Sequence, residues 1–176
     1  MRPSKVSLEG FEDEGIGETQ KKGALGVEER PLGEVIAVCL SQAKGVPKHN
    51  VHAGQFLADR GLMGDAHQGG WHRQISLLAW ESVEKMMAKG LNLKPGAFAE
   101  NLTTLGLDLG KITVGSRLLI GDGVLLKVNQ IGKDCSNTKC RIFQLTGDCI
   151  MPKEGVFASV EHGGWVREGD PIKLMP

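Results

Sequence analysis

Glycine interrupts this chain about every eight to twelve residues between short apolar runs, a spacing that suits strands joined by tight turns and leaves little room for long helices. There are 25 glycines in 176 residues, twice the average share of about 7%. The segments Ser116 to Ile120 and Val124 to Gln130 flank Gly121, Asp122 and Gly123, a three-residue hairpin signal. GEVIAVCLS and QISLLA (Gln74 to Ala79) read as buried strands, and Val156 to Val160, Trp165 with Val166, and Asp170 to Met175 read as closing strands. WESVEKMMAKGLN departs from this pattern. There Val83, Met86, Met87 and Leu91 recur at helical spacing, and Glu81 precedes Lys85 in the favourable i, i+4 order. The spacing predicts one amphipathic helix ending at Gly90, with the Met pair in the core. The expected fold class is mainly β: a closed or partly closed β-barrel with one or two short helices, at the margin of α+β.

Charge narrows the function classes. Lys plus Arg and Asp plus Glu number 21 each, so no long-range basic field gathers nucleic acid or anionic lipid, and any anion site is local. No apolar run reaches the roughly 18 to 20 residues of a membrane helix, and the N-terminus lacks a signal-peptide core. A cytoplasmic protein with no nucleic-acid or membrane partner is expected. Residues 1–32, rich in mixed charge and glycine, are expected to form a disordered tail, with a single domain over 33–176. Cytoplasmic thiols stay reduced, so Cys39, Cys135, Cys140 and Cys149 are core residues, metal ligands or reactive groups rather than disulfide partners. Cys39, inside an apolar run, reads as a buried small hydrophobe.

Three stretches carry candidate chemistry. In RGLMGDAHQGGWHRQ, glycines including Gly64 surround Asp65, His67, His72, Arg73 and Gln74, so unshielded amides and a guanidinium converge as they would on an anion such as phosphate. A glycine-rich surface turn with solvated polar groups accounts for the same residues. In IGKDCSNTKCRIFQLTGDCIM, Lys133 precedes Cys135, and Cys140 sits between Lys139 and Arg141. Cationic neighbours favour the thiolate, which attacks sulfur or binds a soft metal. The loop follows a strand, which puts these thiols at the mouth of the barrel. Zinc bound with help from Cys149 and a histidine, or simple packing of all three thiols, are the alternatives. In PGAFAENLTT, Glu100 and Asn101 orient either a ligand or their own loop by hydrogen bonds.

Taken in order, RGLMGDAHQGGWHRQISLLAWESVE, GAFAENLTTLGLDLGKITVGSRLLIGDGVLLKVNQIGKDC, GDCIMPKEGVFASVEHGG and EGDPI resemble the MOSC family, named after the C-terminal part of molybdenum-cofactor sulfurase. The likeness spans nearly all of residues 33–176 and is nearest to the small stand-alone bacterial members. It implies a β-barrel that handles sulfur or the molybdenum cofactor. The resemblance implies that a cysteine in the segment KDCSNTKC carries sulfur or ligates molybdenum, as proposed for relatives, which makes Cys135 or Cys140 the expected catalytic and metal-binding candidate; Cys135, which follows the strand and the Gly-Lys turn, is favoured. Gly64, Asp65, His67, Arg73, Gln74, Glu100, Asn101 and Lys133 are the cofactor-binding candidates. No pyridoxal phosphate is expected in this chain, and a cysteine desulfurase or a molybdoenzyme is the implied partner. A small molybdenum-dependent oxidoreductase of N-oxygenated compounds and a non-enzymatic zinc or interaction module are the competing functions.

Overall fold

The computed structural model describes residues 31–107, 111–134 and 140–176. The expected N-terminal tail and Cys135 therefore lie outside the described residues, apart from Pro31 and Leu32. Among the described residues the elements are β1 (Gly33–Leu40), β2 (His49–Asn50), β3 (Ala53–Leu57), β4 (Gly61–Leu62), β5 (Ile75–Ala79), α1 (Trp80–Met87), β6 (Leu102–Leu105), β7 (Arg117–Ile120), β8 (Val124–Ile131), α2 (Arg141–Thr146), α3 (Met151–Glu154), β9 (Val156–His162), β10 (Gly164–Arg167) and β11 (Pro171–Met175). The fold is mainly β, a seven-stranded barrel with three short helices. Its strand order is β11-β7-β8-β9-β5-β6-β1, and β1 pairs back onto β11 to close it. Every pairing around the barrel is antiparallel except β5 with β6. A small sheet, β10-β3-β4, covers part of the barrel.

Side-chain alternation divides the interior in two. Ile75 and Leu77 of β5 and Val156, Ala158 and Val160 of β9 point into the barrel, where they meet Val35, Leu102, Leu118, Leu126 and Ile172. Leu78 and Phe157, at the opposite phase of the same two strands, join Val83 and Met86 of α1, Phe98, Ile142 and Met151 in a second core outside the barrel wall. β5 is therefore buried at all five positions, which fits a strand with no charged residue and apolar side chains on both of its faces.

Several local expectations change. Helix α1 stops at Met87, and Gly90 (φ +90°) closes the turn that follows by donating its amide to Met87 O. The Glu81–Lys85 pair is not made: Glu81 accepts the Gly106 amide at 2.6 Å, and Lys85 reaches Glu154 at 2.9 Å. Tertiary partners outcompete a helix pair worth only about 0.2–0.5 kcal/mol. The basic thiol segment, expected as a loop, contains α2, ended by left-handed Gly147, and runs into α3, which carries Pro152 in its first turn. Among the described residues no helix is long and apolar enough to cross a membrane.

Candidate functional site

The second core does not fill the space outside β5 and β9. Ser76 of β5 and Phe157 of β9 are register partners whose side chains face away from the barrel interior, and both line a cavity of about 190 Å³. Cys140 and Cys149 thus face a cleft on the outer wall of the barrel, and the lumen itself is closed by the apolar side chains of the first core. Around Ser76 and Phe157 the cavity takes His67, Trp71 and Arg73 from the glycine-rich loop, Asn101 before β6, and Lys133 after β8. Gly45, Phe98, Ala99, Lys133 and Met151 also belong to a second, more apolar cavity of about 340 Å³, whose far wall holds Cys140, Ile142 and Cys149. The two cavities are lobes of one cleft.

The cations of the polar lobe are held by aromatic faces. The Arg73 guanidinium lies 5.2 Å from the centre of the Trp71 ring and 5.9 Å from that of Phe157. Lys133 Nζ stands 5.7 Å from the Phe157 ring and Lys44 Nζ 6.0 Å from that of Trp71. Such contacts contribute about 0.5–2 kcal/mol each and hold a cation without using up its hydrogen bonds. Arg73 Nε is buried with no hydrogen-bond partner among the described residues. Among the described residues, no Asp or Glu lines either lobe.

The glycine loop takes its shape from Asp65. This carboxylate accepts from the Ser41 amide (3.1 Å), Lys48 Nζ (2.8 Å), the His67 amide (2.9 Å) and His67 Nδ1 (3.3 Å). Burial works against its charge, but the hydrogen bonds from His67 and Lys48 hold it well below the usual carboxylate range. For Lys48, burial outweighs the pairing with Asp65 and pulls its ammonium down from its ordinary value. Trp71 stacks on the His67 ring (6.2 Å, 16°) and donates Nε1–H to His67 O at 2.8 Å, and this fixes the face on which Arg73 rests.

The opposite wall depends on Glu100. Wholly buried, it accepts the Gly96 amide (2.6 Å), the Phe98 amide (3.0 Å) and the Thr103 hydroxyl (2.9 Å). Burial pushes its carboxyl up, against the lowering effect of these donors. The bonds stabilise a tight turn in which Ala99 takes φ +63° and Gly96 φ +87°. A Cβ on Gly96 would stand 2.2 Å from Lys48 O, so only glycine fits there. Gly132 (φ +69°) plays the same part before Lys133, where a Cβ would meet Pro152 O at 2.2 Å.

The sequence candidates thus separate. His67, Arg73, Asn101 and Lys133 line the polar lobe, and Cys140 the apolar one. Asp65 and Glu100 face inward as supports, and Gln74 is buried and accepts the Val160 amide at 2.9 Å, tying β5 to β9. Gly64 is exposed, with its amide donating to Gln68 Oε1 at 3.2 Å. Cys135 lies outside the described residues, and among those described no group of three or more His, Cys, Asp or Glu could hold a metal. Trp71, Ser76, Phe98, Met151 and Phe157 were not among the sequence candidates; as apolar or small residues they carry no mark that separates a cleft wall from a core.

The sequence profile of the MOSC domain matches residues 64–173, well over half of the chain. Among solved structures, the YuaD protein from Bacillus subtilis superposes with a TM-score of 0.68 at 20% identity, covering 81% of this chain and 94% of that one. YiiM from Geobacillus stearothermophilus gives 0.60 at 20% identity, covering 82% and 75%, and YiiM from Escherichia coli 0.52 at 24%, covering 84% and 70%. At these identities the likeness is one of fold. No curated protein matches the sequence significantly. The profile match begins at Gly64, at the start of the loop that builds the polar lobe, and runs through every element of the cleft from there to β11; this chain belongs to the MOSC domain family.

Proposed function

We propose that the two-lobed cleft binds the molybdenum cofactor, or a phosphate-bearing relative of it, in molybdenum-cofactor and sulfur metabolism. The observation that carries this reading is the buried Nε of Arg73, unpartnered among the described residues, in a lobe that no described carboxylate lines. A buried donor left unpaired costs about 1–3 kcal/mol, which an oxyanion accepting from the guanidinium would recover. Lys133 adds a second cation, and Ser76 and Asn101 add polar atoms at the floor. The apolar lobe offers Phe98, Ile142 and Met151 to a ring system and the soft donors Cys140 and Cys149 to a metal. Bound there, the cofactor would supply two-electron redox chemistry at molybdenum. The residues of this chain would anchor its phosphate on Arg73 and Lys133 and exclude water from its ring.

The two thiols on one wall also support sulfur carriage. A Cys140 thiolate attacking the outer sulfur of a donor persulfide would become a persulfide itself and release the donor as a thiolate.

The test is a titration of metal-free protein with cofactor released from a molybdoenzyme, followed by tryptophan fluorescence and by retention of the pterin on gel filtration. Wild type should bind, and Arg73→Ala should need at least about tenfold more ligand, the loss of one charge-assisted hydrogen bond. Wild type that neither changes fluorescence nor retains pterin would overturn the reading.

A further inference from the structure

Arg73 and Lys133 explain why an anion enters the polar lobe but not which anion. The Asp65–His67 pair adds a constraint of another kind. Asp65 is a buried carboxylate that already takes the His67 amide at 2.9 Å, and its Oδ1 also meets His67 Nδ1 at 3.3 Å. A carboxylate can only accept at that distance, so Nδ1 carries the hydrogen. In a neutral imidazole the other nitrogen, Nε2, is then an acceptor. The ring cannot exchange these roles by turning over, because Trp71 stacks on it and the Asp65 contact fixes one edge. Its side chain is 27% exposed and lines the polar lobe.

We propose that the Asp65–His67 pair is a specificity device that makes the polar lobe prefer an oxyanion bearing its own O–H or N–H donor over a fully deprotonated one. This deepens the anion-binding reading above and rests on it. The lobe then presents two cationic donors, Arg73 and Lys133, and His67 Nε2 as an acceptor, beside the polar atoms of Ser76 and Asn101. Monohydrogen phosphate and sulfate are dianions of similar shape, and they differ in the one proton that phosphate keeps. Phosphate gives that proton to Nε2, whereas sulfate sets a lone pair against a lone pair. A site built to bond a donor rejects the analogue that lacks it more strongly than a methylene-sized mismatch would. His67 is in this account a specificity-determining residue, and Asp65 a positioning residue acting through it. The ligand class selected is monohydrogen phosphate, or a phosphomonoester that carries an O–H or N–H donor beside its phosphate, since the ester group itself gives up its last proton at about pH 6.

The experiment is isothermal titration with inorganic phosphate and with sulfate at about pH 8, above the range in which imidazoles usually take up a proton. It uses full-length wild type, His67→Ala and His67→Gln, with nitrogen NMR of the imidazoles reporting the tautomer. Wild type should bind phosphate at least about tenfold more tightly than sulfate, the effect of one hydrogen bond replaced by a repulsion. His67→Ala should bring the two affinities together, and His67→Gln, which restores a carbonyl acceptor, should recover part of the preference. Equal affinities in wild type, or an Nε2–H tautomer, would overturn the inference while leaving the anion site standing. Failure of both anions to bind wild type would overturn the anion site and the inference with it.

Discussion

Lys48 and Asp65 meet at 2.8 Å with both side chains 1% exposed, and their contact closes residues 42–47 over the cleft. Ser41, at the other end of that segment, donates its amide to the same carboxylate, so a single side chain clamps both ends of a cleft wall and shapes the His67 loop. Removing one member of a buried pair strands the other charge. Asp65→Ala should therefore destabilise the protein by about 3–5 kcal/mol in urea unfolding, while Glu84→Ala, at an exposed site on α1, should cost less than about 0.5 kcal/mol.

The acid limb of stability should follow Asp65. Its folded carboxyl lies below the ordinary range, and the unfolded chain takes up the proton near an ordinary aspartate value of about 3.9. Its contribution is thus complete above about pH 4 and is lost as the pH falls further, through the folded value. Glu100 acts in the opposite sense. Burial raises it, so its contribution is complete below the unfolded value of about 4.3 and is lost as the pH rises through the folded one. Urea unfolding from pH 3 to 7 should show a shallower acid limb in Asp65→Asn than in wild type; a parallel limb would show that Asp65 is not the group responsible.

Glu100→Gln should cost about 1–3 kcal/mol, because an amide turns an N–H toward a donor that the carboxylate now accepts. The same change should weaken ligand binding, since the Gly96 and Phe98 amides it holds shape the wall shared by both lobes. Ligand titration alongside unfolding separates the two effects, and full binding in a destabilised variant would mean the wall holds its shape without Glu100.

Thiol reactivity should divide by position. Cys39 has no exposed surface, and burial, with Glu100 nearby, pushes its thiol up to about 12. Cys140 is partly exposed on the apolar lobe. Iodoacetamide should label Cys140 in the native protein and Cys39 only after unfolding, as read by peptide mass mapping. Native labelling of Cys39 ahead of Cys140 would contradict this.

Phe157→Leu keeps an apolar side chain against the second core but removes the ring shared by Arg73 and Lys133. Stability should fall by about 1 kcal/mol, whereas anion affinity should drop about three- to tenfold as two cation–π contacts are lost. An unchanged affinity would show that the cations are positioned by something other than that ring.

Much of the fold was legible because alternation and turns are local signals. The Gly121–Gly123 turn joins β7 and β8 as expected, and QISLLA, Val156 onward and the C-terminal run are strands. The sequence marks of α2 were overshadowed. Lys139, Arg141 and the thiols drew the segment toward a reactive loop, although RIFQLT ends at Gly147, a natural left-handed stop. At the site, residue type marked His67, Arg73, Asn101 and Lys133 but not direction. Asp65, Gln74 and Glu100 are as polar as their neighbours in sequence and turn into the protein, since a carboxylate that caps backbone amides and one that faces a ligand look alike in a string of letters. Phe157 is legible only once the register of β5 against β9 fixes which face it occupies, and Trp71 only once its stacking on His67 places it in the cleft.

The cofactor reading stands or falls on whether the lobe around Arg73, which no described carboxylate lines, holds the phosphate of a molybdenum-bearing ligand. Native mass spectrometry with metal analysis, on wild type and Arg73→Ala purified from cells able to make the molybdenum cofactor, tests it most directly. A bound mass matching the cofactor, with molybdenum, is expected in wild type, and loss of both in a folded Arg73→Ala. Wild type carrying neither the mass nor the metal, or Arg73→Ala carrying both at the wild-type level, would contradict it.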